Sequence, residues 1–341
     1  MEGVLLKEIG IEWEELSGIE PNPRIETVRK GADLCKEKHI DVFLAVGGGS
    51  TIDATKWMAA GACSEHDPWD FLKDPSIPVD NALPVLSVLT IAAIGSEMDA
   101  GGVITNLETN DKLGRIVSPT LLPKVSFLDP TVTYSVNQYQ TACGSADILS
   151  HVMEQYFNMD QDLYMLDCFM EGLMKTVIKY APIAMKEPDN YEARANLMWA
   201  SSWAINGFIT GGKLQAWSCH SMEHELSAFY DITHGLGLAI LTPCWMEYCL
   251  NEKTVSKYVQ FGVNVFGIDE SLEPMEIAKE SINRLSTFLY DTLGLKSHFK
   301  DIEIDDKNFS IMAKKACGDT TLKGFIPLNQ KDIENIFQMC M

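Results

Sequence analysis

Basic residues are scarce in this chain: 27 Lys and Arg stand against 48 Asp and Glu, leaving a net charge of −21. A surface that acidic repels phosphate backbones and anionic lipid, which argues against nucleic-acid and membrane partners. A clean apolar span of membrane length is also missing. Asn81–Ser96 is uncharged but short and carries a proline. Ala195–Gly212 is long enough but holds Asn196, Ser201, Ser202, Asn206, Thr210 and a Gly pair, which suits a buried helix. The opening Met-Glu-Gly-Val has no basic-then-apolar signal. Cysteine occurs nine times but never as a CxxC pair. An odd, scattered set excludes a disulfide framework and a zinc ribbon, and predicts reduced thiols in a cytoplasmic protein. There is no internal repeat and no linker rich in Pro, Gly or Ser. What is present is ordinary for a globular protein: 341 residues, 46% hydrophobic and 22% charged, enough chain for two domains.

The first third alternates short β-branched runs with helical stretches. Ile40–Val46 is an apolar run, broken only by Asp41 and followed by glycines, as expected of a parallel strand buried on both faces. Residues 85–91 and 125–128 read the same way, and a helix is expected from Ser50 to about Gly61. This is βαβ grammar and predicts a doubly wound sheet. After Pro130 the spacing turns helical almost throughout, in Ala142–Phe157, Leu163–Tyr180, Tyr191–Ile209, His220–Phe229, Leu236–Leu250, Thr254–Val265 and Pro274–Gly294. The expected organisation is α/β over residues 1–133 and all-α over 134–341, with an active site in the cleft between them.

Gly47-Gly48-Gly49-Ser50 follows the first strand and opens the helix after it. Glycines there allow a tight turn and present N–H groups at a helix N-terminus, where a phosphate is favoured. The pattern is not the GxGxxG fingerprint, and GGGS also serves as a plain turn. Asp53, three residues after Ser50, reads either as the partner in a capping box with Ser50 as N-cap or as a carboxylate facing a ligand. Spacing does not choose between them.

Four of the seven histidines fall in two motifs. In Gly144-Ser-Ala-Asp147-Ile-Leu-Ser-His151, Asp147 and His151 stand at i and i+4, on one helical face. Such a pair can share a metal or simply a hydrogen bond. In the second motif His220 and His224 repeat the spacing, and His234-Gly235 follows. Along one straight helix His234 would lie roughly 21 Å from His220, so the chain must fold back around Asp231–Thr233 for them to meet. Asp147, His151, His220, His224 and His234 together offer up to five ligands. Imidazoles with one carboxylate suit Fe(II), Zn or Ni and argue against Ca or Mg.

GGGSxxD, the GSADxxxH helix and H-x3-H-x9-HG resemble the iron-containing (group III) alcohol dehydrogenase family over essentially the whole chain. The wording of Pro21-Asn22-Pro23-Arg24, Leu89-Thr90 and His151-Val-Met-Glu154-Gln155-Tyr156 is closest to its butanol dehydrogenase-like branch. The resemblance implies a Rossmann-like domain followed by a helical metal-binding domain. It implies a divalent metal, Fe2+ or alternatively Zn2+, held by Asp147, His151, His220 and His234, with His224 near the nicotinamide as a proton relay. It implies that Gly48, Gly49, Ser50 and Asp53 contact the cofactor, NADPH or NADH, that Asn22 and Thr90 lie along it, and that Lys112 lies by the ribose.

The implied activity is an alcohol dehydrogenase or aldehyde reductase acting on short-chain substrates such as butanol and butanal, in a chain that can form a homodimer. Two departures from the family stand out. Ile94 occupies a position where threonine is common. The family pattern also places a first βα unit before the position matching Gly3, so the resemblance predicts weakened adenosine binding and little activity in this form. The alternatives are a catalytically defective relative that keeps fold and metal, or a glycerol dehydrogenase-like or dehydroquinate synthase-like enzyme. Trp203, Trp217 and Phe208 are candidates for lining an apolar substrate pocket.

Overall fold

The computed structural model describes residues 8, 10–116, 119–159, 163–211, 213 and 217–341. All its named strands lie before residue 128. Three of them, β1 (Phe43–Gly47), β2 (Val85–Leu89) and β5 (Val125–Phe127), form a parallel sheet in the order β1-β2-β5. In register, Ala45 faces Ser87 and Ser87 faces Ser126. That face packs on helix α2 (Gly49–Ala62) through Ala45, Val85 and Leu89 against Ile52 and Ala59. The far side of α2 buries Trp57 and Met58 against Ile25 and Val28 of α1 (Ile25–Lys38). The helix is thus buried on two sides, with Asp53 and Lys56 enclosed along with its apolar residues.

The sheet itself is covered on one face only. Leu44, Val125 and Phe127, which share the opposite face in this register, are 46%, 47% and 52% exposed. The apolar run 40–46 is therefore not buried on both faces as expected. β1 is an edge strand and its alternate residues point out.

A second, antiparallel pair went unread in the sequence. β3 (Gly101–Asn106) and β4 (Asp111–Ile116) form a hairpin across Leu107–Asn110, with Asn110 in the left-handed region at φ 50°. Asparagine in a polar turn between two short β-prone runs was the available signal. After α3 (Pro68–Lys73) and the sheet, the chain becomes helical: α4 (Gln138–Tyr156), α5 (Tyr164–Lys186), α6 (Tyr191–Trp203), α7 (Gly207–Thr210), α8 (Ser218–Tyr230) and α9 (His234–Cys249). α10 (Val255–Phe266), α11 (Pro274–Thr287), α12 (Phe309–Cys317) and α13 (Gln330–Met339) complete it.

Two expected helices differ. The stretch 191–209 breaks after Trp203, because Asn206 caps a new short helix by accepting from the Phe208 N–H at 2.9 Å. The stretch 274–294 stops at Thr287 and closes with a π-helical turn at Phe288–Thr292.

α4 is the axle of the helical half, buried from Thr141 to Tyr156. Two glycine contacts set what lies against it. A methyl on Gly144 would strike the Ala92 carbonyl, and one on Gly235 would strike the Cys143 carbonyl. The loop after β2 and the start of α9 therefore both reach the α4 backbone, which Cβ atoms would prevent. No helix among the described residues is long and apolar enough to cross a membrane.

β4 is pinned to the helical half at its first residue, where Lys315 lies 2.8 Å from Asp111 and 3.7 Å from Glu225 of α8. Burial pushes the Glu225 carboxyl up to about 7, with Lys315 only partly opposing it. Below its ordinary value of 4.5 the group is protonated folded or unfolded. Between there and about 7 only the unfolded chain releases the proton, so this group makes stability fall as pH rises through that window. Glu225→Gln is expected to melt higher than wild type above pH 7 by up to about 3 kcal/mol of stability, with the gap closing toward pH 4.5. Melting curves across that range check it; a gap independent of pH contradicts it.

Candidate metal and cofactor site

α8 ends at Tyr230, and Asp231 follows in the left-handed region at φ 49°. The chain reverses there, as the His220–His234 separation requires, and α9 starts at His234. The reversal is held from the other half, with Asn22 donating to Asp231 at 3.1 Å and to the Ile232 carbonyl at 3.2 Å, and Arg24 pairing with Asp231 at 3.3 Å. The result brings three of the expected ligands together. Asp147, His220 and His234 offer donor atoms all within 4.8 Å of one another. His220 Nε2 and His234 Nε2 each lie 3.8 Å from Asp147 Oδ1.

His151 stands beside this group, its ring centroid 4.2 Å from that of His220, outside the 4.8 Å cluster. Its Nδ1 lies 2.9 Å from both the Asp147 carbonyl and Asp147 Oδ1, which leaves Nε2 as its donor atom. Asp147 Oδ1 is buried and lies 2.9 Å from His151 Nδ1, and the buried His220 Nε2 has no hydrogen-bond partner. A buried carboxylate ringed by three imidazoles, one with an unpartnered nitrogen, fits a divalent cation, and the nitrogen-rich donor set suits Fe(II) or Zn.

Two of the three imidazoles, His220 and His234, are oriented from behind by a carboxylate that the sequence reading left without a role. Glu154 accepts from His220 Nδ1 at 2.5 Å, and Glu223 from His234 Nδ1. Outer carboxylates of this kind set the tautomer of metal-binding histidines. Burial opposes charge on His220, but Glu154 outweighs it and raises the imidazole to about 9. His234 is lowered, chiefly by burial. Burial also opposes ionisation of Asp147, yet the neighbouring His151 and His234 hold its carboxyl well below the usual range. Glu223, His224 and His234 form a second close group, but Glu223 already pairs with Lys112 at 3.2 Å. His224 lies 5.9 Å ring to ring from His234, and burial, then Lys112 and the other imidazoles, pushes it well below its ordinary value. It is held neutral.

The expected cofactor residues divide into two groups. Gly48 is the N-cap of α2, with no side-chain cap, followed by Gly49 and Ser50. Thr90 joins them by donating its N–H to the Gly47 carbonyl at 3.0 Å. Methyls on Gly48 and Gly49 would collide with Ile91 and Ile94, so the loop needs glycine to pass beneath these side chains. An uncapped helix N-terminus bordered by glycines is an anion site by construction.

Asp53 is not the partner in a capping box. Ser50 is not the N-cap, and the Asp53 carboxylate is 2% exposed, accepting from the Ser96 hydroxyl and from the Val103 N–H at 2.8 Å. It ties the first turns of α2 to the Ser96–Val103 segment. Asn22 and Lys112 lie at the metal end, where Lys112 Nζ reaches Asn22 Oδ1 at 3.0 Å, Glu223 at 3.2 Å and His234 Nδ1 at 3.2 Å. The three aromatic pocket candidates separate as well. Trp203 and Phe208 pack with Phe169, whereas Trp217 meets the rings of His151 and His220 at 5.8 and 5.3 Å.

Comparison with known proteins fits this arrangement. Residues 4–130 match the family described as iron-containing alcohol dehydrogenase, and residues 141–341 match the C-terminal part of the Fe-containing alcohol dehydrogenase family. This chain belongs to the iron-containing alcohol dehydrogenase family. It is 50% identical over 336 residues to NADH-dependent butanol dehydrogenase A of Clostridium acetobutylicum, covering 98% of this chain and 86% of that one. It is 36% identical to the NADPH-dependent aldehyde reductase YqhD of Escherichia coli, covering 90% and 79%. The crystal structure of NADH-dependent butanol dehydrogenase A from Thermotoga maritima superposes with a TM-score of 0.92 at 35% identity, covering 98% of this chain and 85% of that one. The fold is thus Rossmann-like α/β plus all-α, and the enzyme an oxidoreductase using NAD(P)H and a metal.

Proposed function

We propose that this chain is a cytoplasmic alcohol dehydrogenase, in practice an aldehyde reductase for short-chain substrates such as butanal, with Fe(II) held by Asp147, His151, His220 and His234. The observation that carries it is the buried convergence of Asp147, His220 and His234, with His220 Nε2 left without a hydrogen-bond partner. The relatives named for butanol dehydrogenase and aldehyde reductase activity support the substrate class. We place the nucleotide-binding domain at 1–133 and the metal-binding domain at 134–341, in keeping with the gap between matches at 130 and 141.

When bound, a divalent ion supplies electrophilic assistance to a carbonyl or hydroxyl oxygen, and a reduced nicotinamide supplies the hydride. The chain does the rest. The N–H groups of Gly49 and Ser50 hold the cofactor pyrophosphate at the start of α2, and Asp53 keeps that loop in place from below. Lys112 spans the two halves, meeting Asn22 on one side and Glu223 and His234 on the other, so that the cofactor half and the metal half share one hydrogen-bonded seam. His224, held neutral, accepts a proton in alcohol oxidation and passes it to solvent.

Anaerobic purification with added Fe(II), elemental analysis, and an assay of NADH and NADPH oxidation with butanal test the proposal. One metal per chain with butanal-dependent oxidation of either cofactor is expected. Full metal with no oxidation of either favours the catalytically defective reading instead.

A further inference from the structure

Glu154 lies on α4 seven residues after Asp147 and three after His151, on the same face of the helix. Its carboxylate is 1% exposed and makes three contacts, all with the first turn of α8. Oε2 accepts from the Cys219 N–H at 2.7 Å, and Oε1 accepts from the His220 N–H at 3.0 Å and from His220 Nδ1 at 2.5 Å. The N-cap residue of α8, Trp217, supplies no side-chain cap of its own. Glu154 therefore caps α8 from another helix and fixes the imidazole at the same time.

We infer that Glu154 is a positioning residue that builds the metal site before the metal arrives, an inference that rests on the metal reading above. A helix N-terminus carries unpaired N–H groups and a partial positive charge, which a buried carboxylate satisfies. An acceptor on Nδ1 keeps the proton there when the ring is neutral, and directs the Nε2 lone pair outward. In this structure Nε2 then faces Asp147 Oδ1 at 3.8 Å with no other partner. One side chain thus sets the position of α8 against α4, the rotation of the His220 ring and its tautomer. All three must agree for α4 and α8 to present donors to one ion. A plain helix cap would need only the two backbone contacts, and the third contact goes to a metal-site candidate.

The test compares wild type with Glu154→Gln, which keeps the size and one oxygen acceptor but loses the charge and one acceptor. Co(II) affinity is measured by competition with a chromophoric chelator, alongside the Co(II) visible spectrum and the melting point of the metal-free proteins. The expected result is a dissociation constant raised about 10- to 100-fold and shifted visible bands, with a metal-free melting point lowered by the weakened cap. Equal affinity and an unchanged spectrum overturn the inference, as does a lost melting point with affinity intact, which would make Glu154 a cap only. A readout free of any variant is the 15N spectrum of histidine-labelled, Zn(II)-loaded wild type. There a slowly exchanging proton on His220 Nδ1 supports the inference, and a bare Nδ1 overturns it. A wild type that takes up neither metal overturns the metal reading itself and this inference with it. A wild type that binds alongside an equally tight variant overturns this inference alone.

Discussion

His234→Ala is expected to lose its metal and its activity together, while His224→Ala keeps near wild-type metal and turns over about 10²- to 10⁴-fold more slowly. The two histidines lie 5.9 Å apart ring to ring, yet their surroundings differ in kind. His234 Nε2 lies 3.8 Å from Asp147 Oδ1, and its other nitrogen is held by Glu223. Removing it takes away a donor and leaves Glu223 with only Lys112 and Ser227, so loss of the ion is the direct consequence. His224 lies outside the Asp147–His220–His234 cluster and beside β4, where Gly114 comes close to its ring. Its removal leaves those donors in place and deletes only a proton acceptor. Metal content by elemental analysis and butanal-dependent cofactor oxidation on the same samples check this. Equal metal loss in both variants would refute the division of roles.

Lys56→Met should produce the largest loss of stability. Lys56 is 0% exposed, and its ammonium donates to Asp99 at 2.7 Å, to the Gly101 carbonyl at 2.8 Å and to Ser96 at 3.1 Å. Asp53 lies 4.0 Å away, its carboxyl raised to about 7 by burial even with the lysine beside it. Methionine fills the volume but leaves two buried carboxylates without a cation. Breaking such a cluster costs about 3–5 kcal/mol, or roughly 10 °C in melting temperature for a domain of this size. Pairing the change with Asp99→Asn should restore part of the loss, because it removes one of the stranded charges. A calorimetric melting point for Lys56→Met within about 2 °C of wild type would show that the cluster is not structural. The glycine loop should suffer too, since the Ser96–Asp53 contact beneath it belongs to the same cluster.

These expectations draw on different parts of the sequence. Asp147 and His151, at i and i+4, and the fold-back between His220 and His234 were readable because helical geometry is local and leaves few choices. The βαβ alternation, the start of α2 within two residues and the change to all-α after Pro130 were readable for the same reason. Periodicity and glycine placement are properties of neighbouring residues.

Contacts between distant segments were not legible. Glu154 and Glu223 each stand a few residues from a histidine in the motifs, yet nothing in a linear pattern says which carboxylate supports which ring. Lys56 and Asp99 are 43 positions apart, and only packing α2 against the Ser96–Gly101 segment makes them a pair. Asp53 shows the limit most clearly. Its spacing allowed a cap or a ligand contact, and the cap is ruled out only because Gly48 is the N-cap, while the Val103 N–H of β3, fifty positions away, takes one of its oxygens.

The sequence by itself determined the class of fold, the glycine turn at 47–50 and the identity of the side chains able to hold a metal, since each follows from local spacing and side-chain chemistry. The tertiary structure alone decided which of those side chains meet, which of their nitrogens are left bare, and that Lys112 and Asn22 join the two halves at the metal end. Those outcomes depend on where α4, α8, α9 and the β3–β4 hairpin come to rest, and a buried polar atom acquires or loses its partner only when the elements around it have packed.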